Sequence, residues 1–227
     1  MVQFSYLNLR LSTMSHQASL LITICQHLHQ RNLLAAADGN VSIRLDDDTI
    51  LITPMGINKA QLTPKQLAII DLSGTILQGN PSSERLMHLA IYNACPHAKA
   101  VVHAHPPTAI AWSLAKPHLN ALPSDSLPEV ILAAGHIPIA PYARPGTAAM
   151  GDVLLPFLPE HRLFILARHG GLCWGESLEE ASNGIERLEQ VSQILLSAEL
   201  LGGAKPLDTT ELLAIRALRQ QLGPKII

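Results

Sequence analysis

Short apolar runs separated by turn residues characterise this chain and predict a sheet built largely from hairpins. The runs at 41–45 and 49–53 flank an acidic cluster, and those at 67–71 and 75–78 are joined through Ser73-Gly74, so each pair predicts a β-hairpin. Further strands are predicted at 99–105, 137–140, 163–167 and 171–174.

Apolar residues spaced three and four positions apart predict helices around these strands. Residues 15–32 carry Leu20, Leu21, Ile24 and Leu28 on one helical face. The other predicted helices span 81–95, 127–134, 147–158, 178–201 and 209–222, with one more beginning near 107. Hairpins together with long helices indicate an α/β fold in which helices cover the faces of a largely antiparallel sheet.

Length, composition and charge narrow the class of protein. The 227 residues, 48% hydrophobic and 15% charged, predict one globular domain spanning 1–227. A net charge of -2 gives no indication of a nucleic-acid partner, and no apolar window of about 18 residues predicts a membrane span. Three widely spaced cysteines and an N-terminus unlike a signal peptide predict a cytoplasmic protein.

Two histidines at the end of a predicted strand are the first candidate for chemistry. His103 and His105 are spaced i, i+2, so their imidazoles face the same side of the strand. That spacing alone is more typical of polar residues at a strand end than of a metal site. His169 also follows an apolar strand and precedes a glycine, where backbone passes close to a site. Three imidazoles with a fourth position open are typical of a catalytic zinc site.

Glu84 is the candidate carboxylate. A glutamate in the first turn of a helix is, by itself, most simply a solvated residue that complements the helix dipole. Ser82 and Ser83 beside it place hydroxyl and N–H groups at a helix N-terminus, which favours binding of an anion. Gly39-Asn40 and Gly56 could add amides from two other loops, although each loop alone is typical of an ordinary turn.

Taken in order along the chain, six short motifs resemble those of the class II aldolase/adducin family. They are Gly39-Asn-Val-Ser42, Thr53-Pro-Met-Gly56, Pro81-Ser-Ser-Glu84, His103-Ala-His-Pro106, Pro141-Tyr-Ala-Arg-Pro-Gly-Thr147 and Arg168-His-Gly170. Each motif is weak alone, but their order and spacing are specific and cover about residues 15–201. The resemblance implies a three-layer α/β/α fold with a central, mainly antiparallel sheet, and a homotetramer with active sites at subunit interfaces.

The resemblance also implies the roles of individual residues. A divalent metal, normally zinc with Mn²⁺ or Co²⁺ as alternatives, would be held by His103, His105 and His169. Glu84 falls on the family's acid/base glutamate, which also ligates the metal when substrate is absent. The positions that fall on the family's phosphate-binding loops are Gly39, Asn40, Met55, Gly56, Ser82 and Ser83.

The activity that follows is zinc-dependent aldol cleavage of a small sugar phosphate similar to L-fuculose 1-phosphate, giving dihydroxyacetone phosphate and an aldehyde. Zinc would stabilise the enediolate as a Lewis acid, and Glu84 would move the proton. Two departures affect the substrate. Met55 stands where the family's sugar-phosphate aldolases commonly carry serine or threonine, and the chain lacks their tyrosines in the mid-chain loop and after Leu201.

Other activities of the same family stay open. A methylthioribulose-1-phosphate-type dehydratase keeps a glutamate at position 84, and a decarboxylase of acidic substrates would suit a weakened phosphate pocket. A sugar-phosphate 4-epimerase, which usually carries aspartate there, is less favoured. A non-catalytic adducin-like module is also less favoured, because all three histidines and the glutamate are present.

Overall fold

The computed structural model describes residues 2–226, and side chains from residue 14 onward. These residues contain an eight-stranded sheet with the order β4-β3-β2-β1-β5-β8-β7-β6. The strands are β1 (Asn40–Arg44), β2 (Thr49–Ile52), β3 (Ala68–Asp71), β4 (Ile76–Gln78), β5 (Ala100–Ala104), β6 (Ile139–Ala140), β7 (Leu163–Leu166) and β8 (Gly170–Gly175). Among the described strands only β6 and β7 pair in parallel, which confirms the mainly antiparallel sheet and both predicted hairpins.

Helices cover both faces of this sheet and confirm the three-layer α/β/α fold. They are α1 (Val2–Gln30), α2 (Arg85–Ala94), α3 (Pro107–Ala115), α4 (Pro128–Ala134), α5 (Ala149–Asp152), α6 (Leu178–Leu200) and α7 (Thr209–Leu222). One apolar core joins the sheet to α1, α3 and α6, and a second joins the opposite face to α2 and α5. None of the helices within residues 2–226 is long and apolar enough to cross a membrane.

Alternation along β5 decides which helical layer meets the histidines. Val102 and Ala104 belong to the core beneath α1, α3 and α6, whereas Val101 belongs to the core beneath α2 and α5. Because side chains alternate across a strand, His103 shares the face of Val101. His103 is therefore directed towards the layer formed by α2 and α5, and Glu84 lies at the start of α2.

Three predicted helices differ from the structure in extent. The helix predicted at 81–95 begins at Arg85, because residues 82–85 form a turn closed by the bond from the Arg85 amide to the Ser82 carbonyl. The helix predicted at 147–158 is reduced to the single turn of α5, followed by a 3₁₀ turn at Leu155–Phe157. Pro156 has no N–H to continue an α-helical hydrogen-bond pattern, so the segment breaks there. The first helix begins at Val2 rather than residue 15, since no proline or glycine interrupts the sequence between them.

Candidate functional site

Three imidazoles converge where β5 and the β7–β8 turn meet. His103 is the fourth residue of β5, His105 follows the strand, and His169 lies in the turn that enters β8. Because β5 pairs with β8, the end of one strand lies beside the beginning of the other. One nitrogen from each ring lies within 4.8 Å of the others, so the three side chains are positioned to bind one metal ion.

Backbone contacts fix which nitrogen of His103 faces the cluster. Its Nδ1 donates a hydrogen bond to the Gly171 carbonyl at 2.9 Å, which leaves Nε2 as the nitrogen directed at the other rings. Burial, followed by the neighbouring rings of His105 and His169, holds the pKa of His103 well below its usual range. The ring is therefore neutral at physiological pH, and the lone pair on its Nε2 faces His105 Nε2 at 3.2 Å.

Glu84 completes the cluster from the layer above the sheet. It stands at the N-cap position of α2 but makes no side-chain cap bond. Its Oε2 lies 3.3 Å from His103 Nε2 and its Oε1 lies 3.3 Å from His169 Nε2, with 11% of the side chain exposed. A carboxylate facing the lone pair of a neutral imidazole is unfavourable unless a cation lies between them. The donor set therefore fits a divalent metal, and the solvated-helix-end interpretation of Glu84 is wrong.

A buried chain of hydrogen bonds holds this carboxylate in place. Asn40 Nδ2 donates to Glu84 Oε2 at 2.7 Å, and Asn40 Oδ1 contacts His88 Nε2. His88 Nδ1 lies 2.7 Å from Ser42 Oγ, which lies 2.9 Å from the Tyr92 hydroxyl. Because the Glu84 carboxylate can only accept, the direction of every other hydrogen bond in this series is determined. The Nε2–H of His88 donates to Asn40, the Ser42 hydroxyl donates to His88, and the Tyr92 hydroxyl donates to Ser42.

His88 is a residue whose role the sequence analysis did not identify. It lies on α2 and is fully buried behind the carboxylate that the cluster needs. Its position four residues after Glu84 was the available signal, because residues i and i+4 share a helix face. Burial lowers the pKa of His88 from 6.5 to about 3, so it acts as a neutral donor.

A cavity of about 380 Å³ opens in front of the cluster. The predicted site residues that line it are Gly39, Asn40, Met55, Gly56, Ser82, Ser83, Glu84, His105 and His169. His103 is fully buried behind them. The sheet and α2 therefore bring together every predicted site residue, although these residues come from five separate segments.

Glycine is required where the first loop passes the cluster. Gly39 has φ +69°, and a Cβ there would lie 2.3 Å from a Leu34 methyl carbon and 2.8 Å from the His103 carbonyl. Gly56 also has positive φ but has open space around it. Among the described residues, the backbone N–H groups of Gly39, Gly56 and Ser83 have no protein acceptor, which leaves them available to an anion in the cavity.

The serines and Met55 differ in what they offer. Ser82 is buried and its Oγ accepts from the Glu84 amide at 3.2 Å, so it fixes the start of α2. Met55 is 50% exposed at the cavity rim and supplies no hydrogen-bonding group. Asn40 already uses both ends of its amide on Glu84 and His88, which leaves one N–H for a ligand.

Lys59 is a second residue that the sequence analysis did not identify. It lines the same cavity but is only 1% exposed, and its ammonium contacts backbone carbonyls of the loops on either side. No motif drew attention to it, because its partners become visible only when those loops are folded against each other.

A larger cavity lies elsewhere, between α4 and α7, with a volume of about 700 Å³. His136 and His161 line it with their rings 5.7 Å apart. Its arginines are engaged: Arg216 with Asp125 at 2.9 Å, and Arg219 with the Leu132 carbonyl at 2.8 Å. No cluster of three metal-ligating groups lies there within the described part of the chain. Size alone therefore does not make it the candidate site.

Comparison with known proteins identifies the family. Residues 19–196 match the model of the Class II Aldolase and Adducin N-terminal domain. The chain belongs to the class II aldolase and adducin family. The resemblance noted from the sequence motifs is thereby confirmed.

Individual relatives include two kinds of enzyme. The chain is 36% identical over 178 residues to 3-oxo-tetronate 4-phosphate decarboxylase of Escherichia coli K12, covering 76% of this chain and 82% of the relative. It is 34% identical to L-fuculose phosphate aldolase of Methanococcus maripaludis, covering 76% and 92%. The structure of YgbL from Escherichia coli matches with a TM-score of 0.82 and 31% identity, covering 90% and 99%. The chain is therefore similar over most of its length to enzymes of this family.

Proposed function

We propose that this chain is a metal-dependent decarboxylase of a small phosphorylated 3-oxo acid. The observation that carries the proposal is the convergence of Glu84 and three imidazoles on a cavity whose loops present free amides. The names of the more similar relatives favour decarboxylation over the aldol cleavage that the motifs first suggested. Both reactions leave the same kind of electron pair to be stabilised, so one site suits either.

Zinc is the metal that suits these ligands best. His103, His105 and His169 would hold it, with Glu84 close enough to join them when no substrate is bound. Three nitrogen ligands with an open position are typical of catalytic zinc, and Mn²⁺ or Co²⁺ are the alternatives. When bound, the ion would supply Lewis-acid stabilisation of the negative charge that develops on the substrate.

Decarboxylation of a 3-oxo acid breaks the bond between the carboxylate carbon and the next carbon. Carbon dioxide leaves, and the electron pair passes to the neighbouring carbonyl to give an enediolate. One proton then adds to the carbon that lost the carboxylate. For 3-oxo-tetronate 4-phosphate, the compound in the relative's name, the remaining product would be dihydroxyacetone phosphate.

The chain's own residues would bind the substrate and supply that proton. Glu84 would first take up a proton from solvent and then deliver it to that carbon, with Asn40 holding the carboxyl group towards the cluster. The amides of Gly39, Gly56 and Ser83, with the Ser82 hydroxyl, would hold the phosphate. Binding through the remote phosphate fixes the reacting carbon beside the carboxyl group without taking part in the chemistry.

Aldol cleavage is the second candidate, because an L-fuculose phosphate aldolase is 34% identical to this chain. It would break a carbon–carbon bond of a ketose 1-phosphate and release an aldehyde instead of carbon dioxide. Met55 offers a phosphate no hydroxyl, but both candidate substrates carry a phosphate, so this residue does not separate the two reactions. We also propose the homotetramer that the family resemblance implies, which sedimentation or light scattering measures directly.

The test is a substrate panel with the zinc-loaded protein. Incubation with 3-oxo-tetronate 4-phosphate should release carbon dioxide and dihydroxyacetone phosphate, and ketose 1-phosphates should give little or no aldehyde. Glu84→Gln should retain zinc and lose about 10²- to 10⁴-fold in turnover, because the amide supplies no acidic proton. His103→Ala should lose both zinc and turnover.

Glu129→Gln is the matched control, since Glu129 is an exposed glutamate in the first turn of α4 and lies away from the cavity. It should behave as the unmodified protein. Aldehyde release without carbon dioxide would replace the decarboxylase proposal with the aldolase. Full turnover by Glu84→Gln would remove Glu84 from the chemistry.

A further inference from the structure

Lys59 is a buried cation within the wall of the cavity. It begins a 3₁₀ turn three residues after Gly56, and 1% of its surface is exposed. Its Nζ lies 2.8 Å from the Ala37 carbonyl, 2.9 Å from the Ile57 carbonyl and 3.4 Å from the Pro54 carbonyl. Three acceptors match the three N–H groups of an ammonium, whereas a neutral amine has only two, so the contacts favour the charged form.

The charge of this ammonium is not neutralised by direct contact. Within residues 14–226, its hydrogen-bond partners are carbonyl oxygens and it forms no ion pair with a carboxylate. Burial lowers the pKa of Lys59, and Cys25, Asp38 and Glu84 oppose that lowering only through longer-range attraction. A buried charge with no counter-ion is costly, and an anion in the adjoining cavity would offset that cost.

Lys59 also orients the peptide groups that face the cavity. The carbonyls it holds belong to the segments 37–40 and 54–57, which contain Gly39 and Gly56. The Lys59 ammonium binds carbonyl oxygens on one side of these loops. The free N–H groups of Gly39 and Gly56 are then left to face the cavity. The loop contacts and the charge therefore act in the same sense, and both favour a negative ligand.

We propose that Lys59 makes the cavity selective for a doubly charged anion, the phosphomonoester end of the substrate. It acts as a positioning residue: its charge attracts the dianion, and its hydrogen bonds hold the two glycine loops together to receive it. The proposal rests on the anion-binding role given above to this cavity, but it does not depend on which bond the enzyme breaks.

The test measures inorganic phosphate binding to the zinc-loaded protein by isothermal titration calorimetry at pH 8. Lys59→Gln keeps N–H donors for the carbonyls but removes the charge, and Lys59→Met removes both. Lys65→Met is the matched control, because Lys65 is an exposed lysine in the next 3₁₀ turn. Both Lys59 variants should weaken phosphate binding at least tenfold while keeping their zinc, and Lys65→Met should leave it unchanged.

Binding by Lys59→Gln equal to that of the unmodified protein would overturn the proposal, since Lys59 would then be a loop clamp and nothing more. If neither Lys59 variant folds, the unmodified protein decides. It should bind phosphate at least tenfold more tightly than singly charged dimethyl phosphate, and equal affinities would overturn the selectivity.

The two proposals fail separately. If the protein releases carbon dioxide but binds phosphate independently of Lys59, the proposed function is supported and the role of Lys59 is contradicted. If phosphate binding depends on Lys59 but the protein releases no carbon dioxide, the role of Lys59 is supported and the decarboxylase proposal is contradicted.

Discussion

At the scale of single residues, one acceptor determines the state of a whole buried chain. Glu84 as a carboxylate can only accept, so Asn40 must present its nitrogen to Glu84 and its oxygen to His88. His88 must then carry its proton on Nε2. The orientation of the candidate proton donor is thus set by a neutral histidine that never reaches the cavity.

This neutral state makes His88 a source of acid sensitivity. Its pKa is about 3 in the folded protein against an ordinary 6.5, so below pH 6.5 the unfolded chain binds a proton that the folded chain does not. Stability contributed by His88 is therefore intact above about pH 6.5 and falls by about 1.4 kcal/mol per pH unit towards pH 3.

His88→Gln should reduce this slope, because an amide keeps the N–H donor for Asn40 but does not titrate. Loss of the acceptor for Ser42 should lower the free energy of unfolding at pH 8 by about 1–3 kcal/mol. Urea unfolding of both proteins at pH 8 and pH 5 measures both effects. An unchanged difference between the two pH values would show that His88 is not a source of the acid sensitivity.

The metal-ligand candidates could be predicted from sequence because each stands beside a local signal. His103 and His105 end an apolar run, and His169 precedes a glycine. Lys59 carries no such signal, and His88 has only its spacing of four residues from Glu84. Their partners, such as Asn40 at 48 residues from His88, become neighbours only after the sheet and its loops have formed. Sequence reasoning therefore identified the three histidines and Glu84, but it missed His88 and Lys59, which lie behind them.

At the scale of elements, the pairing of β5 with β8 depends on two successive glycines on opposite faces. A Cβ at Gly170 would lie 2.5 Å from the Ala104 carbonyl oxygen, 2.7 Å from His103 Cε1 and 3.1 Å from His105 Cδ2. A Cβ at Gly171 would instead meet Leu188 Cδ2 at 2.6 Å, on the face packed against α6. One glycine leaves space for the imidazoles and the other leaves space for the core.

Substituting each glycine by alanine should separate these two roles. Gly170→Ala should weaken zinc binding, because the methyl group pushes on two ligand rings. Gly171→Ala should keep zinc affinity and lose about 1–3 kcal/mol of stability by overpacking against Leu188. Zinc titration and thermal unfolding of the pair test this, and equal zinc affinities in the two variants would contradict it.

Elements were predictable where the local pattern was regular. The hairpin strands and α7 follow the predicted boundaries closely, since alternation and caps are local. The spacing of apolar residues at 147–158 predicts a helix, but Pro156 interrupts it. The segment also packs closely on α2, since a Cβ added at Gly151 would lie 2.6 Å from the Ala90 methyl. Packing on α2 and one missing N–H outweighed the apolar periodicity.

At the scale of the whole molecule, the candidate ligands lie on segments that are far apart in sequence. Glu84, His103 and His169 are brought together only by the β5–β8 pairing and by α2 lying over it. The unfolded chain lacks this arrangement. A bound metal therefore stabilises the folded state by mass action, by about 2.7 kcal/mol at a free concentration 100 times its dissociation constant.

Removing the metal should accordingly lower the melting temperature. Zinc-loaded protein treated with a chelator should melt several degrees lower, and added zinc should restore the original value. His103→Ala should show neither change. A melting temperature that ignores both chelator and zinc would mean that the three imidazoles hold no metal in solution.

The order of strands shows where prediction from sequence ended. Hairpins could be assigned because their strands are consecutive, but β5 lies between β1 and β8, which are more than a hundred residues apart. The position of β5 between β1 and β8 depends on packing between residues far apart in the sequence, on both faces of the sheet. The resemblance to a known family supplied the layered fold that the pattern alone left open.

The central position of β5 has a consequence for how the protein opens. Four strands lie on one side of it and three on the other, so its amides are shielded from fraying at either edge of the sheet. Hydrogen exchange at Val102 and His103 should require near-global opening, whereas the half-exposed loop at Met55 can exchange through local motion. The mouth of the site can therefore fluctuate while its floor remains closed. Opening of the site mouth and exchange of the β5 amides then become events of different depth, separated by much of the free energy of unfolding.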